Sequence, residues 1–141
     1  MELAFQALNI FFYVFHTVLT LFIVLGWMWR KTRKLNLALI ALTGLSWTLL
    51  GFWYGFGYCP CTDWHWRVRM HLGYFDMPRS YIKFLLDQAT GLDAPAAGVD
   101  GVTVGIFVCA GMISLGLNWR DGWGKTPKQN EGGEKPPADP I

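Results

Sequence analysis

The sequence predicts an all-α membrane protein, with three transmembrane helices and one or two interfacial helices on the outer face. Three observations carry this. Of 141 residues, 52% are hydrophobic and only 16% are charged, against about 25% charged in an ordinary soluble domain. The charges are segregated: Leu3–Trp29, Leu35–Thr62 and Gly101–Trp119 are runs of 27, 28 and 19 residues without Asp, Glu, Lys or Arg. Hydrocarbon tolerates such runs, whereas a water-facing surface does not. Finally, basic residues cluster between the first two runs. The net charge of +2 is too mild for a nucleic-acid binder, and the composition excludes an ordinary soluble enzyme and a disulfide-rich secreted domain.

The first span is expected over about residues 3–29. Its flanks are the reverse of a signal peptide, which carries positive charge before its apolar core. Here Glu2 precedes the core, and Arg30, Lys31, Arg33 and Lys34 follow it. An uncleaved first helix with its N-terminus outside is expected. The second span covers about residues 35–58 and forms an antiparallel hairpin with the first. The third covers about 101–119. Each is long enough for a hydrocarbon core of about 30 Å.

The basic 30–34 link, together with Arg120, Lys125 and Lys128 after the third span, places that link and the C-terminus in the cytoplasm. Residues 59–100 then face outward. Trp27, Trp29, Trp119 and Trp123 mark the inner interface, and Trp53, Tyr54, Tyr58, Trp64 and Trp66 the outer one. The expected location is a membrane, crossed three times with the N-terminus outside and the C-terminus in the cytoplasm.

The interfacial region runs over residues 62–90. Arg67, Arg69, His71 and Asp76 make its first half costly to place in lipid. Ser80–Thr90 is apolar on one face and, as a helix, only about 16 Å long. That suits a helix in the membrane plane, with Ser80 as N-cap and Gly91 as its end. Residues 1–119 thus form the membrane domain. Residues 120–141, rich in Gly, Pro, Lys and Glu, are expected as a disordered cytoplasmic tail.

Between helices in lipid, close packing of small residues replaces the hydrophobic drive. Gly44, Thr48, Gly51 and Gly55 form one stripe; Gly101, Gly105 and Cys109 form another. The stripes are expected to face each other or a partner chain.

Candidate chemistry gathers in Cys59-Pro60-Cys61-Thr62-Asp63-Trp64-His65-Trp66-Arg67-Val68-Arg69-Met70-His71. Pro60 is expected to end the second span and Thr62 to cap a new helix. On it Asp63 and Arg67 have ion-pair spacing, and His65 and Arg69 form a neighbouring row. Three readings compete. The segment is a rigid interfacial corner whose arginines meet lipid phosphates or acids. Alternatively Cys59, Cys61 and His65, with His71, bind Zn(II) or Cu(I). In the third reading the two thiols are redox active.

His16, mid-span, is the other candidate. It either bonds a hydroxyl, such as Thr20 or Thr48, or serves as an axial ligand of haem b, with Met112 or a second copy supplying the opposite ligand. No phosphate-binding loop, nucleophile elbow or metalloprotease motif is present.

These residues resemble a family of small bacterial integral-membrane proteins of unknown function. The likeness rests on Phe15-His16, Leu25-Gly26-Trp27 before a basic link, Cys59-Pro60-Cys61-Thr62, Arg67, Arg69 and Gly73-Tyr74. It covers roughly residues 10–118. The family pattern has Leu in place of Cys61 and a Leu-Glu-like pair in place of Trp64-His65. A two-cysteine metal site is therefore not implied family-wide. The resemblance implies membrane location and fold, and no activity. The function expected from the whole sequence is a non-catalytic accessory subunit or assembly factor of an inner-membrane complex, contacting lipid and other subunits or itself. The alternative is a metal- or haem-binding redox protein.

Overall fold

A computed structural model describes residues 1–122, and the tail expected over 120–141 falls from residue 123 onward outside the described residues. The described residues contain helices and no strand: α1 (Glu2–Leu25), α2 (Arg33–Leu45), α3 (Gly51–Tyr54), α4 (Pro60–His71), α5 (Tyr81–Thr90) and α6 (Ala96–Gly122). A 3-10 turn, Gly26–Met28, extends α1, and a π turn, Ser46–Leu50, joins α2 to α3. Three segments are long and apolar enough to cross a membrane: Glu2–Met28, Arg33–Tyr54 and Ala96–Gly122.

At the end carrying Trp27 and the basic link, side-chain hydrogen bonds join the three long segments. Asn36 is fully buried. Its Nδ2 donates to the Phe22 carbonyl at 2.7 Å and the Ile23 carbonyl at 3.1 Å. Its Oδ1 accepts from Ser114 Oγ of α6 at 2.8 Å. Asn118 Nδ2 donates to the Arg33 carbonyl at 3.1 Å. Arg33 pairs with Asp121 and donates from Nε to the Trp27 carbonyl at 2.9 Å. Gly26 makes room for this: a Cβ there would come within 2.9 Å of Asn36 Nδ2. Where lipid supplies no hydrophobic drive, such interhelical bonds and close backbone approach fix the packing.

At the Glu2 end the chain does not stay outside the bundle. Gly55 and Gly57 have φ of 97° and 84°, a left-handed backbone that suits glycine. They reverse the chain directly after α3. A Cβ on Gly51 would lie 3.2 Å from the Phe56 Cα, so the returning strand of chain lies against that glycine. Arg79 Nη2 donates to the Phe56 carbonyl at 3.2 Å. Ser46 Oγ donates to the Tyr58 carbonyl at 3.0 Å. The π turn sits where the chain returns, as such irregular turns do at specialised sites.

α4 therefore starts deep. Pro60 is its first residue, and Cys59, its N-cap residue, sits beside His16. That histidine is about 21 Å along α1 from Glu2. Pro at this position costs no hydrogen bond and presets φ. The start precedes the expected Thr62 cap, which places Thr62 inside the helix. α4 then runs antiparallel to α1: Thr62 meets His16, His65 meets Asn9, and His71 stacks on Phe5 at 4.6 Å. Its buried residues are Thr62, His65, Val68 and Arg69, so its polar row faces the bundle while Trp64 and Met70 face out.

α5 closes the cluster. Ser80 Oγ accepts from the Lys83 N–H at 3.5 Å, and Gly91, at φ 70°, ends the helix with its N–H on the Asp87 carbonyl. Both caps match the sequence reading. Tyr81 and Phe84 are its buried residues. Lys83 Nζ bridges Asp87 at 2.7 Å and Asp93 at 2.6 Å, which ties α5 to the loop before α6.

Candidate functional site

The element order places one buried polar cluster at the Glu2 half of the molecule, built from α1, α4 and α5. His16 is 5% exposed. Its Nε2 lies 3.3 Å from Thr62 Oγ1 and 3.8 Å from Cys59 Sγ. Tyr81 stacks on its ring with centroids 4.0 Å apart. The hydroxyl beside His16 thus belongs to Thr62, and not to Thr20 or Thr48. Thr48 Oγ1 turns back to the Gly44 carbonyl of its own helix at 2.8 Å.

One and a half turns along α4, His65 is fully buried. Its Nε2 faces Asn9 Oδ1 at 2.9 Å. Phe12 and Tyr13 of α1, Trp66 of α4, and Tyr81 and Phe84 of α5 surround it. Burial, reinforced by the charges of Arg69 and His16, pushes its pKa down to about 4. At neutral pH it is an uncharged imidazole and a hydrogen-bonding group.

Arg69 sits one further turn along. Its guanidinium lies 4.4 Å from the Tyr74 ring, 4.7 Å from the Phe84 ring and 6.0 Å from the Tyr13 ring. Its Nη1 donates to the Tyr13 hydroxyl at 3.5 Å. Aromatic faces thus take the place of a carboxylate, a desolvated cation–π arrangement. Within this one cluster three buried side-chain nitrogens have no hydrogen-bond partner among the described residues: His16 Nδ1, His65 Nδ1 and Arg69 Nε. Native structures rarely leave such groups unpaired, and each needs a reason.

Elsewhere the expected site residues disperse. Cys59 and Cys61 are partly buried free thiols. Burial, then the adjacent Cys59, pushes the Cys61 thiol up. His65 and His71 turn to Asn9 and Phe5 and away from the thiols. Asp63 and Arg67 pair at 3.0 Å on the exposed side of α4, a contact worth about 0.3–0.5 kcal/mol. Met112 is 62% exposed, and no contact brings it to His16. Among the described residues no three His, Cys, Asp or Glu side chains converge closely enough to hold one metal ion.

The glycine stripes do not meet. Gly51 packs on the returning chain, and Gly55 lies against Arg79. A Cβ added at Gly98, Gly101 or Gly105 meets nothing within 4 Å.

Sequence reasoning missed Asn9, Tyr13, Tyr81, Asn36, Ser114, Asn118 and Asp121. A lone Asn inside an apolar run, as in Asn9 and Asn36, was the available signal, since a buried amide in a span must find partners. Tyr81 had no such mark.

The family described as Protein of Unknown function (DUF2784) matches residues 6–119, and the chain belongs to it. No curated protein and no solved structure matches the chain.

Proposed function

We propose that this member of the family is a non-catalytic accessory subunit or assembly factor of a bacterial inner-membrane complex. In this reading the N-terminus lies outside and the basic link and C-terminus lie in the cytoplasm. The supporting observation is the outward face of α6. Gly98, Gly101 and Gly105 stand at helical spacing over open space, with Val102, Ile106 and Cys109 exposed beside them. Small residues suit a membrane helix through close backbone approach, and the described residues place nothing within 4 Å of a Cβ at these three. The occupant that fits is a transmembrane helix of another chain, with small residues of its own.

The same open space makes the test clean. A Cβ at Gly105 meets nothing within 4 Å among the described residues, so Gly105→Leu is expected to disturb docking more than packing within the bundle. In mild detergent from native membranes, the wild-type chain is expected to carry one partner of defined mass, crosslinkable through Cys109. Gly105→Leu is expected to lose that partner at least tenfold. A clean wild-type monomer, or equal retention by Gly105→Leu, contradicts the reading.

A further inference from the structure

We propose that Cys59 and His16 form a partly buried two-coordinate site for a soft monovalent metal ion, Cu(I) or Ag(I). The two residues are 43 positions apart, and the return of the chain brings Cys59 Sγ to 3.8 Å from His16 Nε2. A two-coordinate ion sits nearly collinear with its donors, and bonds of about 2.3 Å to a thiolate and 2.0 Å to an imidazole set those donors about 4.3 Å apart. The observed 3.8 Å is shorter by about half an ångström, so the sulfur draws back by that much to seat an ion.

The donor count selects the metal. Zinc takes four ligands in a structural site and three in a catalytic one, and among the described residues no three candidate side chains converge here. Thiolate and imidazole are donors that suit Cu(I), which is satisfied by two. Charge selects it again. A thiolate with a monovalent ion is neutral, whereas a divalent ion would leave a net charge in the buried bundle, which is costly. Binding replaces the Cys59 thiol proton by the metal: the S–H bond breaks, the S–metal bond forms and the proton passes to solvent, with no change of oxidation state. Tyr81 stacks on the His16 ring with centroids 4.0 Å apart, and Thr62 Oγ1, 3.3 Å from Nε2, gives up that contact when the ion binds. When Nε2 binds the ion the ring proton sits on Nδ1, which has no hydrogen-bond partner among the described residues.

The test is an anaerobic titration of the full chain in detergent with Cu(I), in competition with bicinchoninate. A Cys61→Ser, Cys109→Ser background leaves Cys59 as the sole thiol. One equivalent is expected to be held against the chelator. Cys59→Ser and His16→Ala are each expected to weaken it at least 100-fold. His16→Met, which supplies a soft thioether, is expected to recover affinity to within tenfold. X-ray absorption should show one sulfur and one nitrogen neighbour. Circular dichroism establishes that each variant is folded. Failure of the background protein to hold Cu(I), or undiminished binding in folded His16→Ala, overturns the proposal.

Discussion

Asn36→Leu is expected to destabilise the bundle by about 2–4 kcal/mol. The side chain is fully buried and links all three long segments. It donates to two α1 carbonyls and accepts from Ser114 on α6. Leucine fills a similar volume but removes all three bonds and leaves the Ser114 hydroxyl without its interhelical partner. A single interhelical bond in a membrane averages only about 0.6 kcal/mol. The larger figure reflects three bonds lost together and a buried hydroxyl orphaned, which alone costs about 1–3 kcal/mol. Reversible unfolding in mixed micelles reads this directly. A loss under about 0.5 kcal/mol would mean the polar lock is incidental to the fold.

Phe84→Ala is expected to cost about 3–5 kcal/mol and to release α5 first. Phe84 is 3% exposed. Its ring meets Trp66 at 4.9 Å, Tyr13 at 5.3 Å and Tyr81 at 5.6 Å, and it covers the Arg69 guanidinium. Removing it opens a cavity and strips Arg69 of one aromatic face. The cation beneath then has less to offset its desolvation, so the loss exceeds that of an aromatic in a purely apolar site. Near-ultraviolet circular dichroism of the Trp66 environment should weaken along with stability. An unchanged spectrum with a loss below about 1 kcal/mol would show that α5 is not anchored through Phe84.

The all-α class and the three long helices were legible because each rests on a local quantity, the length of an apolar run. Capping of α5 by Ser80 and Gly91 was legible for the same reason. The return of the chain after α3 was not. It depends on Gly55 and Gly57 acting together with Ser46, and on pairings such as Asn9 with His65 that span 56 positions. A polar segment beside a span reads as surface when taken alone. Here Thr62, His65 and Arg69 turn inward, because α1 offers Asn9, Tyr13 and His16 on the matching face. His16 and Cys59 were both legible as candidates, but their meeting was not, because hydropathy carries no information about depth after a chain reversal.

The central claim is that α4 begins halfway along α1, which sets the half-buried Cys59 against His16 in the bundle. Labelling with a membrane-impermeant maleimide tests it most directly, in intact vesicles carrying Cys61→Ser and Cys109→Ser. The account predicts that Cys59 reacts at least tenfold more slowly than a thiol introduced by Phe75→Cys, at an exposed position, and that unfolding the protein abolishes the difference. Labelling of Cys59 as fast as at that position, in folded protein, would contradict it and return Cys59 to the membrane surface.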